Sequence, residues 1–190
     1  MPLMTLACKI TLARIGIIPF FVWTAIEHGR SVASGAPVEA WRWASIAIFA
    51  LAAGSDWLDG YLARNFGQSS HLGALLDPLA DKLLMISALL TMTLSGWRHQ
   101  LPVWFIILVI SRDAVSVGVA LLIEKLYGHC EVKPHPSGKV TTVMVAATLL
   151  WQMLEWRGLE WLVYLTTTLS LFSGAIHLRS GLAQINRHTQ

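Results

Sequence analysis

The sequence predicts an all-α polytopic membrane protein, with six transmembrane helices in one bundle and a single domain over residues 1–190. Three observations carry that expectation. Hydrophobic residues make up 55% of the chain and charged ones only 13%, with a mean hydropathy of +0.57, too little polar surface for a soluble domain of this length. Apolar runs of roughly twenty residues, the length a helix needs to cross the hydrocarbon core, recur six times. The connections between them are short and rich in polar or helix-breaking residues, which favours antiparallel neighbours.

In chain order, Met1 to Lys9 suits a short amphipathic surface segment. The apolar stretch after it has the length of a signal peptide, but no small-residue cleavage site follows and Arg14 lies inside it, so it reads as a retained first span. The spans cover residues 10–26, 41–61, 72–95, 101–127, 140–154 and 159–178, the fifth being the shortest. The connections are 28–37, 65–70, 96–100, 128–138 and 155–158.

Charge placement orients the bundle. With both termini inside, nine basic residues face the cytosol: Lys9, Arg14, Arg64, Lys82, Lys125, Lys133, Lys139, Arg179 and Arg187. Four face outward: Arg30, Arg42, Arg98 and Arg157. The excess of Lys and Arg on that side therefore puts both termini and the Asp56 to Asp81 segment on the cytoplasmic side of the cell (inner) membrane. Trp23, Trp41, Trp43, Trp97, Trp104, Trp151, Trp156 and Trp161 fall near outer span ends, as interfacial anchors do. Cys8 and Cys130 have no paired spacing, so neither a disulfide framework nor a zinc site is indicated. The small net charge of +3, with no basic run, gives no sign of nucleic-acid binding.

Within the second and third spans lies DWLDGYLARNFGQSSHLGALLDPLAD, from Asp56 to Asp81. Asp56 and Asp59 are three residues apart, Asp77 and Asp81 four, so each pair shares one helix face. An Asp at membrane depth costs at least roughly 2.5 kcal/mol unless it finds a partner or water. Divalent cations supply such a partner, and an all-oxygen donor set suits Mg2+, Mn2+ or Ca2+. Gly60 and Ala63 continue the first face and allow close approach, while Arg64 offers a fork suited to phosphate. Together these groups suit chemistry on a phosphate anhydride. Buried salt bridges with Arg64, Lys82 and Arg112, or an ion or proton pathway, remain open on residue types alone. A cation-binding transporter is the reading from a different class, but it calls for polar residues lining a path to both sides, and the outer halves here are apolar and Trp-rich.

Asp56, Asp59, Gly60, Ala63, Arg64, Gly73, Asp77 and Asp81 match D-x2-D-G-x2-A-R-x8-G-x3-D-x3-D, the signature of the CDP-alcohol phosphotransferase family, which this chain resembles. ITLARIGIIPFF in the first span and SGKVTT at 137–142 resemble the branch that makes phosphatidylglycerophosphate. The resemblance implies a six-helix membrane enzyme, commonly a homodimer, that transfers the phosphatidyl group of CDP-diacylglycerol to an alcohol and releases CMP. It implies that Asp56, Asp59, Asp77 and Asp81 hold one or two Mg2+ or Mn2+ ions, with Asp81 also the general base. It further implies that Gly60, Ala63 and Gly73 border the cytidine and that Arg64 contacts its phosphates.

The acceptor is expected to be sn-glycerol 3-phosphate. Arg112, Lys133 and Lys139 are the basic groups available to its phosphate, Lys139 foremost because it stands in the GK segment. SRDAVSV at 111–117 resembles the cardiolipin synthase branch instead, for which phosphatidylglycerol is the acceptor. Pairing of Arg112 with Asp113 within the bundle would give that arginine a structural role.

Overall fold

The structure is a computed structural model describing residues 6–66, 71–127 and 136–188, with side chains described at 11–55, 79–118, 138–176 and 179. Among the described residues there are six helices and no strand: α1 (Leu6–Ala33), α2 (Glu39–Phe66), α3 (His71–Leu94), α4 (Val103–Tyr127), α5 (Pro136–Met153) and α6 (Leu159–His188). The shortest, α5, has 18 residues. At a rise of 1.5 Å per residue even that one extends about 27 Å, close to the thickness of a hydrocarbon core. Among the described residues one helix, α6, holds an 18-residue window, Leu159–Ile176, apolar enough by length and composition to cross a membrane.

α1, α2, α5 and α6 outrun the predicted spans, α3 matches its span within one residue at each end, and α4 starts two residues later than predicted. Leu6 to Lys9 form the start of α1 rather than a separate surface segment, and Met1 to Thr5 lie outside the described residues. At its other end α1 continues to Ala33, shortening the first connection to residues 34–38. The reason is the position of the stop signal. Gly35 sits at φ 77°, its N–H donates to Val32 O at 3.0 Å, and the Ala36 N–H donates to Ser31 O at 3.1 Å. That pair of bonds is a Schellman termination, and Pro37 follows where a helix could not resume.

The fold forms two compact units: Met1–Gln100 with Gln152–Glu155, and Leu101–Trp151 with Trp156–Gln190. In the first, α1 packs against α2 and α3, and α2 touches α3. Phe21 and Phe49 meet at 5.7 Å between ring centroids, both fully buried, with Ala25, Ala52, Leu84 and Met92 completing the interior. α1 closely approaches the turn just after α3 at Gly29, where a Cβ would lie 2.9 Å from both Gly96 N and Ser95 Cβ. Gln152 Nε2 donates to Met92 O at 2.9 Å and His99 O at 2.8 Å, satisfying carbonyls where α3 ends. In the second unit, α4 packs against α6, Trp104 stacks on Tyr164 at 6.1 Å, and Thr148 and Thr166 hydrogen-bond at 2.9 Å.

The tryptophans divide. Trp23, Trp43, Trp104, Trp156 and Trp161 are exposed, as interfacial anchors should be. Trp97 is instead buried: its Nε1–H donates to Ala25 O at 3.0 Å and its ring lies 4.4 Å from that of His28. The short turn after α3 directs it back into the first unit, where the indole N–H finds a backbone acceptor.

Candidate active site

α2 is unbroken from Glu39 to Phe66, so Asp56, Asp59, Gly60 and Ala63 occupy successive turns along one face of its C-terminal half, with Arg64 beside them. α3 starts at His71, and Gly73, Asp77 and Asp81 then recur every four residues along one stripe. Only residues 67–70 separate the two helices, which touch one another. The backbone therefore brings both aspartate pairs onto adjoining helix ends. The side chains of Asp56, Asp59, Gly60, Ala63, Arg64, Gly73 and Asp77 lie outside the described residues. Asp81 is half-buried, between buried Ala80 and half-buried Lys82, one turn from buried Leu84.

The donor set fits a hard divalent cation: four carboxylates, all oxygen, at helical spacings. Among the described residues alone, no group of three His, Cys, Asp or Glu comes together, since three of the four aspartates are not among the described side chains.

One contributor to this end of the first unit was not singled out for the site by sequence. Arg14 is only 1% exposed, and its Nε donates to Ser55 Oγ at 3.1 Å, one residue ahead of Asp56. Sequence placed it inside the first span and on the cytosolic side, but could not show that it lies on the α1 face turned into the core. The available signal was a cation inside an apolar span.

The acceptor candidates separate. Lys133 lies outside the described residues. Lys139 is exposed in the first turn of α5, and Arg112 lies on α4, both in the second unit. Arg112 Nη1 donates to Asp113 Oδ1 at 2.8 Å and Nη2 to Ser173 Oγ at 2.8 Å. The structural pairing with Asp113 is therefore present, with α6 as a second anchor. Its Nε is buried without a hydrogen-bond partner among the described residues.

Comparison with known proteins decides the kinship. The CDP-alcohol phosphatidyltransferase family matches residues 4–173, nearly the whole chain. The chain belongs to that family. Among its relatives in the CDP-alcohol phosphatidyltransferase family, a cardiolipin synthase (CMP-forming) of Streptomyces coelicolor is 34% identical over 77% of this chain and 65% of its own length. A CDP-diacylglycerol–glycerol-3-phosphate 3-phosphatidyltransferase of Bacillus subtilis is 35% identical over 75% of each. The enzyme of that name from Escherichia coli is 32% identical over 93% of this chain and 91% of its own. The match thus spans just under two thirds of the Streptomyces protein but nearly all of the Escherichia coli one. Family membership gives the aspartate helices their context: Asp56 to Asp81 lies within the 4–173 match and is the segment in which the sequence resembles the family signature.

Proposed function

We propose that this chain is a single-domain, multi-pass enzyme of the cell (inner) membrane that transfers the phosphatidyl group of CDP-diacylglycerol to sn-glycerol 3-phosphate, giving phosphatidylglycerophosphate and CMP. The observation that carries the choice of acceptor is the near end-to-end match to the Escherichia coli glycerol-3-phosphate transferase, over 93% of this chain. Support for the membrane setting comes from helices of 18 to 30 residues and from large apolar side chains left open on them, among them Leu51, Leu94, Phe172 and Trp161. The aspartate end faces the cytoplasm, following the placement of Lys and Arg, and the working form is a homodimer.

In this reading Gly60, Ala63 and Gly73 leave room for the cytidine, and Arg64 meets the phosphates. Lys133, Lys139 and Arg112 are the basic groups proposed for the acceptor's phosphate. Asp81 takes the proton of the acceptor hydroxyl as its oxygen attacks the phosphorus that bears diacylglycerol. The new P–O bond forms in line with the anhydride bond that breaks, and CMP departs with the bridging oxygen. Mg2+ or Mn2+ held by Asp56, Asp59, Asp77 and Asp81 would neutralise phosphate charge. Positioning and charge stabilisation then contribute most of the acceleration.

A second acceptor is favoured by one observation, the 34% identity to a cardiolipin synthase, for which phosphatidylglycerol would replace glycerol 3-phosphate. The deciding experiment follows CMP release by detergent-solubilised protein with CDP-diacylglycerol and Mg2+ or Mn2+, comparing the two acceptors. Release with glycerol 3-phosphate, lost on chelation and restored by added metal, is expected. Release with phosphatidylglycerol alone would reassign the acceptor, and failure to release CMP with either alcohol would refute the transferase reading.

A further inference from the structure

The buried cation in α1 has a definite place relative to the aspartates. Arg14 is always charged and 1% exposed, and Thr11, one turn before it, is fully buried. The α1 face carrying both residues is therefore interior, although α1 is otherwise apolar here. A guanidinium is retained in such a place only when its hydrogen bonds are worth its desolvation. One of those bonds is described: Nε donates to Ser55 Oγ at 3.1 Å. Ser55 is itself pinned to its own helix, its hydroxyl donating to Ala52 O at 2.7 Å. The contact thus joins α1 to a specific turn of α2, and the next residue along that turn is Asp56.

We propose that Arg14 is a positioning residue for the aspartate centre, acting through Ser55 to fix the turn of α2 that carries Asp56 and thereby setting the affinity of the centre for divalent metal. This rests on the metal-dependent transferase reading above and adds to it a residue outside the Asp56 to Asp81 segment. The physical reason is leverage. α2 alone fixes the spacing of Asp56 and Asp59 but not the rotation and height of their turn against the rest of the unit. A hydrogen bond from a buried guanidinium to the residue preceding Asp56 supplies that constraint. Carboxylates must be preorganised to bind a cation tightly, so loosening the turn weakens metal binding before it unfolds the helix pair.

The test uses full-length protein in detergent and reads Mn2+ binding by the loss of the free-ion electron paramagnetic resonance signal, alongside CMP release and thermal melting. Ser55→Ala removes the acceptor while leaving the buried charge, and Arg14→Lys keeps the charge while removing the Nε donor. Each is expected to raise the Mn2+ half-saturation roughly three- to tenfold, the range for loss of one hydrogen bond. The double variant is expected to be no worse than the more severe single one, since both substitutions break the same contact. Ser55→Ala with wild-type Mn2+ binding, or two effects that add, would overturn the role assigned to Arg14. Wild-type protein that neither binds Mn2+ nor releases CMP would overturn the transferase reading and this proposal together, whereas active wild type with an unaltered Ser55→Ala variant overturns this proposal alone.

Discussion

The first unit buries basic groups at two places on α1, fourteen residues and about 21 Å apart along the helix axis. They are satisfied by different means. At the far place, His28, Arg42 and Arg98 surround the single carboxylate of Glu155. His28 Nε2 lies 3.5 Å from Oε1, while Arg42 Nη1 and Arg98 Nη1 lie 3.4 and 3.9 Å from Oε2. Glu39 holds the other arm of Arg42 at 2.7 Å, and His28 Nδ1 sits 3.3 Å from Val38 O. These partners all come from within the first unit, although His28 Nε2 and Arg42 Nε have no hydrogen-bond partner among the described residues. At the near place, Arg14 reaches α2 just ahead of a segment with four aspartates and only two basic residues of its own span, Arg64 and the adjoining Lys82. In the function proposed above, a nucleotide diphosphate would enter there and add further negative charge, and a divalent cation would offset it. On that reading the first network serves stability and the second serves binding.

The comparison breaks most sharply at Asp81. Asp81→Asn keeps size and shape but removes both a metal-ligating charge and the base of the proposed transfer. The expected loss in CMP release is about 10³-fold or more, with melting temperature and CDP-diacylglycerol binding little changed. Turnover retained in that variant would remove Asp81 from the chemistry. Glu155→Ala is the converse. It strands His28, Arg42 and Arg98 around an absent carboxylate and should destabilise the protein by about 2–4 kcal/mol, read as a lower melting temperature, while transfer per folded molecule stays at the wild-type rate. A variant that melts normally but transfers slowly would make the Glu155 cluster part of the active machinery.

Smaller in size is the close contact of α1 with the turn after α3, near His28. Gly29→Ala would set a Cβ 2.9 Å from the Gly96 backbone nitrogen and from Ser95 Cβ, so α1 and that turn must separate. The reverse substitution, Gly96→Ala, meets Gly29 O at 3.1 Å and Ala33 Cβ at 3.3 Å, a milder clash. Gly29→Ala is expected to cost about 1–3 kcal/mol in thermal or denaturant melting and Gly96→Ala less. Equal losses would show that the contact is looser than its geometry.

Much of this was legible in the sequence because it follows from spacing. Six apolar runs became six helices in the expected order, since a run of about twenty apolar residues between polar breaks has few other solutions. The aspartates at 56, 59, 77 and 81 fell on α2 and α3 because α-helical periodicity alone determines their faces. What was illegible depends on which helix meets which. Arg14 could be placed in the first span and on the cytosolic side, but hydropathy does not say that α1 turns that residue onto α2. Trp97 read as an interfacial anchor because nothing local reveals that Ala25 O waits 3.0 Å away. The length of α1 past residue 26 was missed because hydropathy falls there before the backbone stops being helical, and only the φ of 77° at Gly35 marks the end.

The finest test lies in the turn that presents Glu155. Its φ is 54°, in the left-handed region where a side chain is disfavoured, and the Glu155 N–H donates to Gln152 O at 2.9 Å while Trp156 N–H reaches Trp151 O at 3.4 Å. This is the same termination used after α1, with glutamate where α1 has Gly35. The left-handed conformation costs a non-glycine residue about 1–2 kcal/mol, and the greater freedom of glycine in the unfolded chain cancels about 0.5–1 of that. Glu155→Gly and Glu155→Ala both lose the carboxylate, so their difference isolates the backbone. Glu155→Gly should be the more stable of the two by about 0.5–1 kcal/mol, and both should melt below wild type. If glycine restored wild-type stability, the ion cluster would contribute no more than the strain it imposes. The ordering wild type, then glycine, then alanine means instead that the chain tolerates a strained turn to place one carboxylate among three basic groups.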